Sequence, residues 1–292
     1  MKEPKVSIIL VNYNGAVHTK ECIESLLKIE YTNYDIYIVD NKSTNDNFKD
    51  IMIEYENEKK ICVIFNDKNL GFSGGNNVAI EKAMQMKSDY VLLLNNDTVV
   101  EKDFLSIMMK NTANKDNLGI TTCNIKMYYE REKNWYAGGF LNKSGSATIL
   151  YTDEASSDDI TFVSGCCMLI PIEVIKDVGM LSEDYFLYFE DTDYCSKVVK
   201  KGYKLLYCSE TTIYHKESVA TGKKTPLYSY YFARNRLIYI RKCMSGVGKI
   251  YAYIYSLLWL MKKCVIREFK IKYVFMGIWE ALRGKEGKRE AI

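Results

Sequence analysis

The stretch YVLLLNNDTVV (residues 90–100) is an apolar run that ends in three polar side chains, Asn95, Asn96 and Asp97. A short apolar run bounded by polar residues is typical of a central strand in a parallel sheet. Ligands of open α/β sheets bind beyond the carboxyl ends of such strands. The polar cluster therefore lies where a binding site is expected.

Strand and helix patterns alternate through the first hundred residues. The strands are predicted at VSIILV (6–11), YDIYIVD (34–40), ICVIFN (61–66) and YVLLLN (90–95). The segments between them, HTKECIESLLKI, DNFKDIMIEYENE and GGNNVAIEKAMQMK, place apolar residues at helical spacing. Each segment is long enough for a crossover between parallel strands. The order predicts an α/β fold with a doubly wound, nucleotide-binding half.

From about residue 118 the alternation weakens. Strands are predicted at GITTCNIKMYY (119–129), WYAGGFL (135–141), FVSGCCMLI (162–170) and YKLLYC (203–208). A helix is predicted from Asp191 to Lys201, where Gly202 ends it. The chain after Pro226 is predicted to be helical.

The composition indicates a cytoplasmic protein. Nine cysteines form no CxxC pair, and their odd number disfavours a disulfide framework. The chain enters an apolar strand at Val6, so we expect no signal peptide. The apolar stretch IYAYIYSLLWLM (250–261) is shorter than the roughly 20 residues of a spanning helix.

The charge is distributed unevenly along the chain. Residues 1–196 carry 19 Lys and Arg against 31 Asp and Glu, whereas residues 197–292 carry 21 against 6. A basic, aromatic-rich tail on an acidic body favours a polyanionic partner, which is either a membrane surface or a nucleic acid. A solvated basic face is the alternative interpretation.

Candidate binding residues, most of them polar, follow each predicted strand of the first half. They are Asn12, Tyr13 and Asn14 after the first strand, Asp40, Asn41 and Ser43 after the second, and Asn69, Gly71, Phe72, Asn76 and Asn77 after the third. Glycines here let the backbone approach a ligand and expose amides near a helix start, where phosphate is favoured. The first loop has neither GxGxxG nor a Walker motif, which disfavours dehydrogenases and P-loop kinases.

Four further side chains are candidates for metal binding or for catalysis. Asp97 is a hard oxygen ligand suited to Mg²⁺ or Mn²⁺. His215, which ends the segment TTIYH (211–215), is either a second ligand or a structural histidine. Glu190 and Asp191 open a predicted helix, where they are either acids favoured by the helix dipole or a general base.

Taken together, these motifs resemble glycosyltransferase family 2, from about Val6 to about Arg241. VSIILVNYNG and VDNKS resemble its opening nucleotide loops, and NLGFSGGNN resembles a segment of its rhamnosyltransferase-like members. LLLNNDT occupies the place of the DXD metal motif, with Asn95 replacing the first Asp. SGCCMLIP resembles the segment beside the acceptor, and FLYFEDTDYC the one that carries the base. YYFARNR (230–236) stands where processive synthases have QxxRW, which favours the addition of one sugar at a time.

The resemblance implies a GT-A fold, with a Rossmann-like mixed central sheet followed by C-terminal helices. It implies that residues 1–112 bind a nucleotide sugar, that residues 113–242 bind the acceptor and catalyse, and that residues 243–292 form a basic aromatic tail. It assigns Asp191 as catalytic base with Glu190 beside it, and Asp97 and His215 as ligands of magnesium or manganese. The nucleotide site comprises Asn12, Tyr13, Asn14, Asp40, Asn41, Ser43, Asn69, Gly71, Phe72, Asn76, Asn77, Asn95 and Asn96. The acceptor site comprises Trp135, Gly165, Cys166, Arg234 and Asn235.

The implied reaction is transfer of one sugar, with inversion, from a nucleoside-diphosphate sugar to a hydroxyl of a saccharide acceptor. We expect a polyprenyl-linked acceptor, a role in cell-surface polysaccharide synthesis, and an enzyme at the inner face of the cell membrane rather than on nucleic acid. A sugar nucleotidyltransferase and a degenerate nucleotide-sugar-binding scaffold are the alternatives. For the tail, the alternatives to a membrane interface are packing on the catalytic body and a homodimer interface.

Overall fold

The strand and helix alternation predicted for the first hundred residues is confirmed. The computed structural model describes residues 3–44, 47–113, 115–151, 160–216 and 225–290. Its first elements are β1 (Val6–Asn12), α1 (Ala16–Leu26), β2 (Tyr34–Asp40), α2 (Phe48–Ile53), β3 (Ile61–Phe65), α3 (Gly71–Gln85) and β4 (Tyr90–Leu94), followed by β5 (Thr98–Val100) and α4 (Phe104–Ala113). The second helix is shorter than predicted because residues 54–57 form turns. The predicted elements did not include β5 and α4.

The second half contributes shorter elements. They are β6 (Leu118–Met127), β7 (Asn134–Tyr136), β8 (Gly139–Asn142), β9 (Ser146–Ile149), β10 (Cys167–Pro171), α5 (Ile172–Val178), α6 (Glu190–Lys200) and β11 (Lys204–His215). Two of the predicted strands were too long by several residues. The stretch 135–141 splits at Gly138, whose φ of 102° breaks the extended backbone, and the stretch 162–170 is a strand only from Cys167.

One mixed sheet joins the two halves. Its strand order is β3-β2-β1-β4-β10-β6-β11-β5, with β7 also paired to β6. The first four strands are parallel to one another, while β10 is antiparallel to β4 and β6. The antiparallel strand therefore begins, at Cys167, where β4 ends at Leu94. This arrangement places the chain before β10 against the polar turn after β4.

The central strands are buried on both sides. Val6, Ile8, Ile9 and Leu10 of β1 have no exposed surface, as expected for a strand covered by helices on both faces. Helix α3 packs closely on β1, because a Cβ atom at Gly75 would lie 2.9 Å from the Val11 side chain. The packed sheet and helix α3 therefore hold the polar ends of the strands in fixed positions.

The prediction of a helical C-terminal region is confirmed. It comprises α7 (Pro226–Cys243), α8 (Gly246–Val265) and α9 (Ile271–Leu282). Thr225 caps α7 by accepting a hydrogen bond from the Tyr228 amide, and Pro226 fills the first helical position. Helices α7 and α9 make backbone contact, since a Cβ atom at Gly277 would lie 2.6 Å from the Tyr230 carbonyl oxygen. Within the described ranges, none of the helices has the length and apolar character needed to cross a bilayer.

Candidate active site

A cleft of about 1410 Å³ follows the edge of the sheet where β1 and β4 end. Sixteen residues predicted for the site line it: Tyr13, Asn14, Asn41, Asn69, Gly71, Phe72, Asn76, Asn95, Asn96, Asp97, Trp135, Gly165, Cys166, Glu190, Asp191 and His215. Six others are outside its lining: Asn12, Asp40, Ser43, Asn77, Arg234 and Asn235. The cleft is large enough for both a nucleotide sugar and part of an acceptor.

The floor of the cleft beside β1 and β2 is a hydrogen-bonded network. The Asn12 amide donates to the Asp40 carboxylate and to the Ser43 hydroxyl, each at 3.0 Å. The Ser43 amide donates to the other Asp40 oxygen at 3.2 Å. Asn14 lines the cleft above this network, where its backbone N–H donates to the Ser43 hydroxyl. Asn12, Asp40 and Ser43 thus fix the loops that face the cleft.

The loop before α3 is shaped by Asn41. The Asn41 side chain accepts hydrogen bonds from Asn66 and from the Leu70 amide, and it donates to the Gly71 carbonyl at 2.8 Å. Gly71 has a φ of 74°, and a Cβ atom there would lie 2.2 Å from the Phe186 carbonyl oxygen. Only glycine fits this position, so the loop and the segment before α6 are in direct backbone contact.

The third loop also holds the chain before α6. The Asn77 side chain exchanges hydrogen bonds with the backbone of Leu181, and its amide also donates to the Glu183 carboxylate at 3.0 Å. Asn76 donates to the Phe72 carbonyl at 2.9 Å and lines the cleft. The two adjacent asparagines therefore have different positions: Asn76 lines the cleft, and Asn77 braces the 181–183 segment.

The turn after β4 faces the end of β11. His215 is paired with Thr98 across β11 and β5, so the His215 Nε2 atom lies 3.1 Å from the Asp97 Oδ1 atom. The Asn95 amide nitrogen lies 3.4 Å from the same ring nitrogen. Asp97 Oδ1 and His215 Nδ1 are buried without a well-formed hydrogen bond in the described chain. Trp135 packs edge-on against the His215 ring at 4.6 Å.

These donors fit a divalent ion that takes most of its ligands from elsewhere. One carboxylate, one imidazole and one amide converge, and the Asp97 Oδ1 atom among them is buried without a well-formed hydrogen bond. Among the described residues there is no group of three or more His, Cys, Asp or Glu side chains placed to hold a metal. Mg²⁺ and Mn²⁺ bind in this way when a diphosphate and waters supply the remaining oxygens.

Glu190 and Asp191 lie side by side at the start of α6. Asp191 accepts hydrogen bonds from the Gly165 amide at 3.1 Å and from the Thr192 amide at 2.7 Å. Burial, and then the charge of Asp191, raise the pKa of Glu190 to about 8. Burial also raises the pKa of Asp191, against the hydrogen bonds from Gly165 and Thr192. At neutral pH Glu190 is therefore mainly protonated, and Asp191 carries the charge of the pair.

The residues before this acid pair have an unusual backbone. Phe186, Tyr188 and Phe189 have φ values of 64°, 68° and 75°, which bulky side chains rarely adopt. Such conformations persist only where the surroundings hold them in place, and they cluster at functional sites. The acid pair is therefore presented by a strained aromatic loop, residues 185–189.

Arg234 and Asn235 supply that constraint. The Asn235 side-chain amide donates to the carbonyls of Tyr185, Leu187 and Tyr188 at 2.7, 2.7 and 3.0 Å. The Arg234 guanidinium donates to the Tyr185 carbonyl at 3.0 Å. Both side chains are buried outside the cleft lining. Their hydrogen bonds to the carbonyls of the aromatic loop position that loop, and neither side chain lines the cleft.

Several residues that line the cleft were not predicted. They include His18 on α1, Tyr228, Tyr231 and Phe232 on α7, and Lys288 and Arg289 after α9, together with residues 186–189 of the aromatic loop. Trp259 of α8 stacks on Phe232, with ring centroids 5.7 Å apart. Because α7 and the segment after α9 form one wall, the C-terminal region is part of the cleft. The sequence signals for this wall were the YYFARNR motif (230–236) and the basic aromatic composition of the tail.

Cys166 lines the cleft as a thiol. Burial raises its pKa well above the ordinary value for cysteine, so the thiolate that a nucleophile requires is not formed near neutral pH. The Cys166 backbone carbonyl instead accepts a hydrogen bond from the Asn95 backbone N–H at 2.9 Å. This contact fixes the segment before β10 against the turn that carries Asp97.

Solved structures of the same architecture are glycosyltransferases, and they identify the fold as GT-A. The mannosyltransferase PcManGT from Pyrobaculum calidifontis, in complex with GDP-Man and Mn²⁺, superimposes with a TM-score of 0.63. The alignment covers 98% of this chain and 89% of that one, at 13% identity. The mixed sheet with C-terminal helices is therefore the architecture of a known class of sugar-transferring enzymes.

The chain belongs to glycosyl transferase family 2, whose sequence model matches residues 7–179. Among its relatives is the low-salt glycan biosynthesis hexosyltransferase Agl10 of Haloferax volcanii, 24% identical over 98% of this chain and 94% of the relative. Another is the dTDP-rhamnosyl transferase RfbF of Shigella flexneri, 23% identical over 96% and 95%. The resemblance inferred from the motifs is confirmed.

Proposed function

We propose that the protein is an inverting glycosyltransferase that moves a single sugar from a nucleoside-diphosphate sugar to a hydroxyl of a saccharide acceptor. The observation that carries this proposal is the Asp191 carboxylate at the cleft, held by the Gly165 and Thr192 amides beside a protonated Glu190. A carboxylate in this state is suited to accept a proton from a hydroxyl. Cys166, as a buried thiol, does not offer a covalent route.

The mechanism is a single displacement. Asp191 deprotonates the acceptor hydroxyl as its oxygen attacks the anomeric carbon, and the bond to the nucleoside diphosphate breaks on the opposite face of the sugar. The donor lies across the loops after β1, β2 and β3, with its diphosphate towards the turn after β4. The hydrogen bonds to Asp191 hold its oxygens in place before the substrate arrives.

Asp97 and His215 would hold the divalent cation, with Asn95 beside them. When bound, that cation neutralises charge that develops on the leaving diphosphate. Asn95 stands where the metal motif has an acid, so it adds no charge, and the protein contributes a single carboxylate. We therefore propose that metal affinity depends strongly on the bound diphosphate. Trp135 packs against His215 and restricts the orientation of its ring.

The enzyme is proposed to work at the inner face of the cell membrane on a lipid-linked acceptor, as part of cell-surface polysaccharide synthesis. Helix α8 exposes Val247, Ile250, Tyr251, Ile254, Tyr255, Leu258, Met261 and Val265. This spacing forms one apolar stripe along the helix. On α9, Ile271, Phe275, Trp279 and Leu282 are exposed at similar spacing. Lysines and arginines flank both stripes, as in helices that lie in a membrane interface.

A flotation experiment tests whether the exposed stripes of α8 and α9 bind a membrane. Leu258→Glu combined with Trp279→Glu places two charges on the stripes, at positions that are 68% and 56% exposed. We expect the wild type to float with liposomes that contain anionic phospholipid and the double variant to remain in solution. Ile53→Glu, at an equally exposed position on α2, is the matched control and should still float. The membrane assignment is contradicted if the wild type never floats. It is also contradicted if the apolar face instead forms a dimer that the double variant abolishes.

A donor screen tests the reaction. Nucleotide sugars that carry dTDP, UDP or GDP are added with and without Mn²⁺, and thermal unfolding is followed. A ligand that binds only the folded state raises stability by about 2.7 kcal/mol at a hundredfold excess over its Kd, so the preferred donor should be distinct. The anomeric configuration of the transfer product is then determined by NMR. Retained configuration, or the absence of transfer with every donor that binds, would contradict the proposal.

A further inference from the structure

The segment after α9 returns to the cleft. Gly284 and Gly287 have φ values of 73° and 72°, which allow two tight changes of direction. The Gly287 amide donates to the Asp184 carbonyl at 2.6 Å, and Glu286 pairs with Arg241 at 2.6 Å. The Arg289 amide donates to the Tyr231 hydroxyl at 2.9 Å. Residues 284–290, the return segment, are therefore tied to the Asp184 backbone and to two positions on α7.

Two cations of the return segment line the cleft. The Lys288 ammonium lies 5.7 Å from the centre of the Phe186 ring, and no carboxylate of the described residues lies within 4.0 Å of it. The Arg289 guanidinium lies 3.1 Å from the Glu280 carboxylate and over the Tyr230 ring. Glu280 is thus shared between Arg289 and the Tyr230 hydroxyl. Lys288 in particular carries a charge that the described protein does not neutralise.

The contacts of these cations lie on the side of the acid pair. The Phe186 carbonyl accepts a hydrogen bond from the Phe72 amide, and the Phe72 ring borders Gly165. Gly165 in turn donates to Asp191. The donor diphosphate is instead assigned to the turn of Asp97, whose contacts are with β11. Lys288 therefore lies beside the aromatic loop that presents the acid pair, and not at the turn of Asp97.

We propose that Lys288 and Arg289 bind the diphosphate of a lipid-linked acceptor, with its lipid chain directed along the apolar face of α9. An ammonium and a guanidinium form strong charge-assisted hydrogen bonds with phosphate oxygens. The return segment follows α9 directly, so one short stretch of chain joins the exposed apolar face to the two cations. This inference rests on the proposed function and names the chemical class of its acceptor.

Binding of farnesyl diphosphate, measured by calorimetry with saturating nucleoside diphosphate and Mn²⁺ present, tests the inference. The nucleoside diphosphate that gives the largest thermal shift fills the donor site. We expect Lys288→Ala to weaken binding about tenfold, the usual effect of losing one charge-assisted hydrogen bond. Lys288→Arg should restore most of the affinity. Lys285→Ala, an exposed cation outside the cleft lining, should bind as the wild type does.

Control titrations with farnesol and with the nucleoside diphosphate show whether the diphosphate group is what Lys288 binds. Farnesol should bind weakly and equally to all variants, and nucleoside diphosphate affinity should not change in Lys288→Ala. The inference is overturned if farnesyl diphosphate is displaced by the nucleoside diphosphate, if Lys285→Ala weakens binding as much as Lys288→Ala, or if farnesol binds as tightly as the diphosphate. Because donor binding and sugar transfer are measured independently, those results would leave the proposed glycosyl transfer intact.

Discussion

Replacement of each acid at the start of α6 by its amide should have unequal effects on sugar transfer. Asp191→Asn removes the proposed base but keeps a side chain of the same size. Gly165 and Thr192 donate to different oxygens of Asp191, so the one oxygen of the amide can keep only one of these two hydrogen bonds. Glu190→Gln replaces a carboxyl group that is already mainly neutral at pH 7, since its pKa is about 8. The two variants thus test which member of the pair works as a base.

The expected magnitudes follow from those protonation states. General-base catalysis contributes roughly 10²- to 10⁴-fold, so Asp191→Asn should lower kcat by that range. Glu190→Gln should lower kcat by less than about tenfold at pH 7, because the charge of the site does not change. It should also leave the acid limb of the pH–rate profile unchanged. Glu190 is already protonated in that pH range, so its replacement removes no charge from beside Asp191.

The assay measures transfer and donor binding together. Steady-state rates are recorded from pH 5 to pH 9 with the donor identified by thermal shift, and calorimetry checks that both variants still bind nucleoside diphosphate. A loss below tenfold for Asp191→Asn, with a large loss for Glu190→Gln, would show that Glu190 is the base. Equal large losses with intact donor binding would mean that the pair acts as one unit, which the assignment of separate roles does not allow.

Three further predictions concern the donor site and stability. Asp97→Ala and His215→Ala should weaken nucleoside diphosphate binding only when Mn²⁺ is present, whereas Asp40→Ala should weaken it with and without Mn²⁺. Calorimetry measures these affinities, and equal losses for all three variants under both conditions would defeat the assignment. Gly71→Ala should lower the free energy of unfolding by at least about 2 kcal/mol, because φ is 74° and the new Cβ would meet the Phe186 carbonyl. Gly248→Ala on α8, where nothing lies within 4 Å, should instead raise it by up to about 1 kcal/mol, and urea unfolding that ranks the two alike would refute the argument. Glu190→Gln should stabilise the protein, relative to wild type, increasingly as pH rises from about 5 to about 8. The folded carboxyl holds its proton up to a pKa of about 8 against an ordinary 4.5, so the contribution of Glu190 to wild-type stability is present at low pH and is lost across that interval, by up to about 5 kcal/mol. A thermal-shift difference between variant and wild type that does not change with pH would contradict it.

The sequence was sufficient for the parts of the site that depend on local patterns. Apolar runs that end in polar residues located β1, β2, β3 and β4 within one or two residues, and the loops after them line or support the cleft. The start of α6 at Glu190 was within one residue of the predicted position. These features were predictable because strand ends, turns and helix starts are encoded by neighbouring residues.

Features that depend on distant contacts could not be predicted. Asn76 and Asn77 are adjacent and identical in type, yet only the folded chain decides that Asn77 meets Leu181. Strand β11 contains a register shift between Cys208 and Thr212, which reverses the alternation of side chains before His215. Counting alternate residues from Cys208 therefore fails to predict the face on which His215 lies.

The same limit applies to the C-terminal wall of the cleft. Arg234 and Asn235 lie in a segment that suggested acceptor contact, but their partners are backbone carbonyls of the aromatic loop, about fifty residues earlier. Lys288 carries no local motif, and its position depends on two glycine turns and on the packing of α9 against α7. A basic composition predicted that the tail meets an anion, but not that part of it lines the cleft.

The three tryptophans are distributed so that each one can report on a different event. Trp135 packs against His215, Trp259 stacks on the cleft residue Phe232, and Trp279 is exposed on α9. Indole emission depends on local polarity and on nearby quenching groups. Variants that retain a single tryptophan should therefore give separate optical signals for events at Asp97 and His215, for occupation of the aromatic wall, and for contact of α9 with lipid. The order of these steps could then be followed by stopped-flow fluorescence without an attached dye.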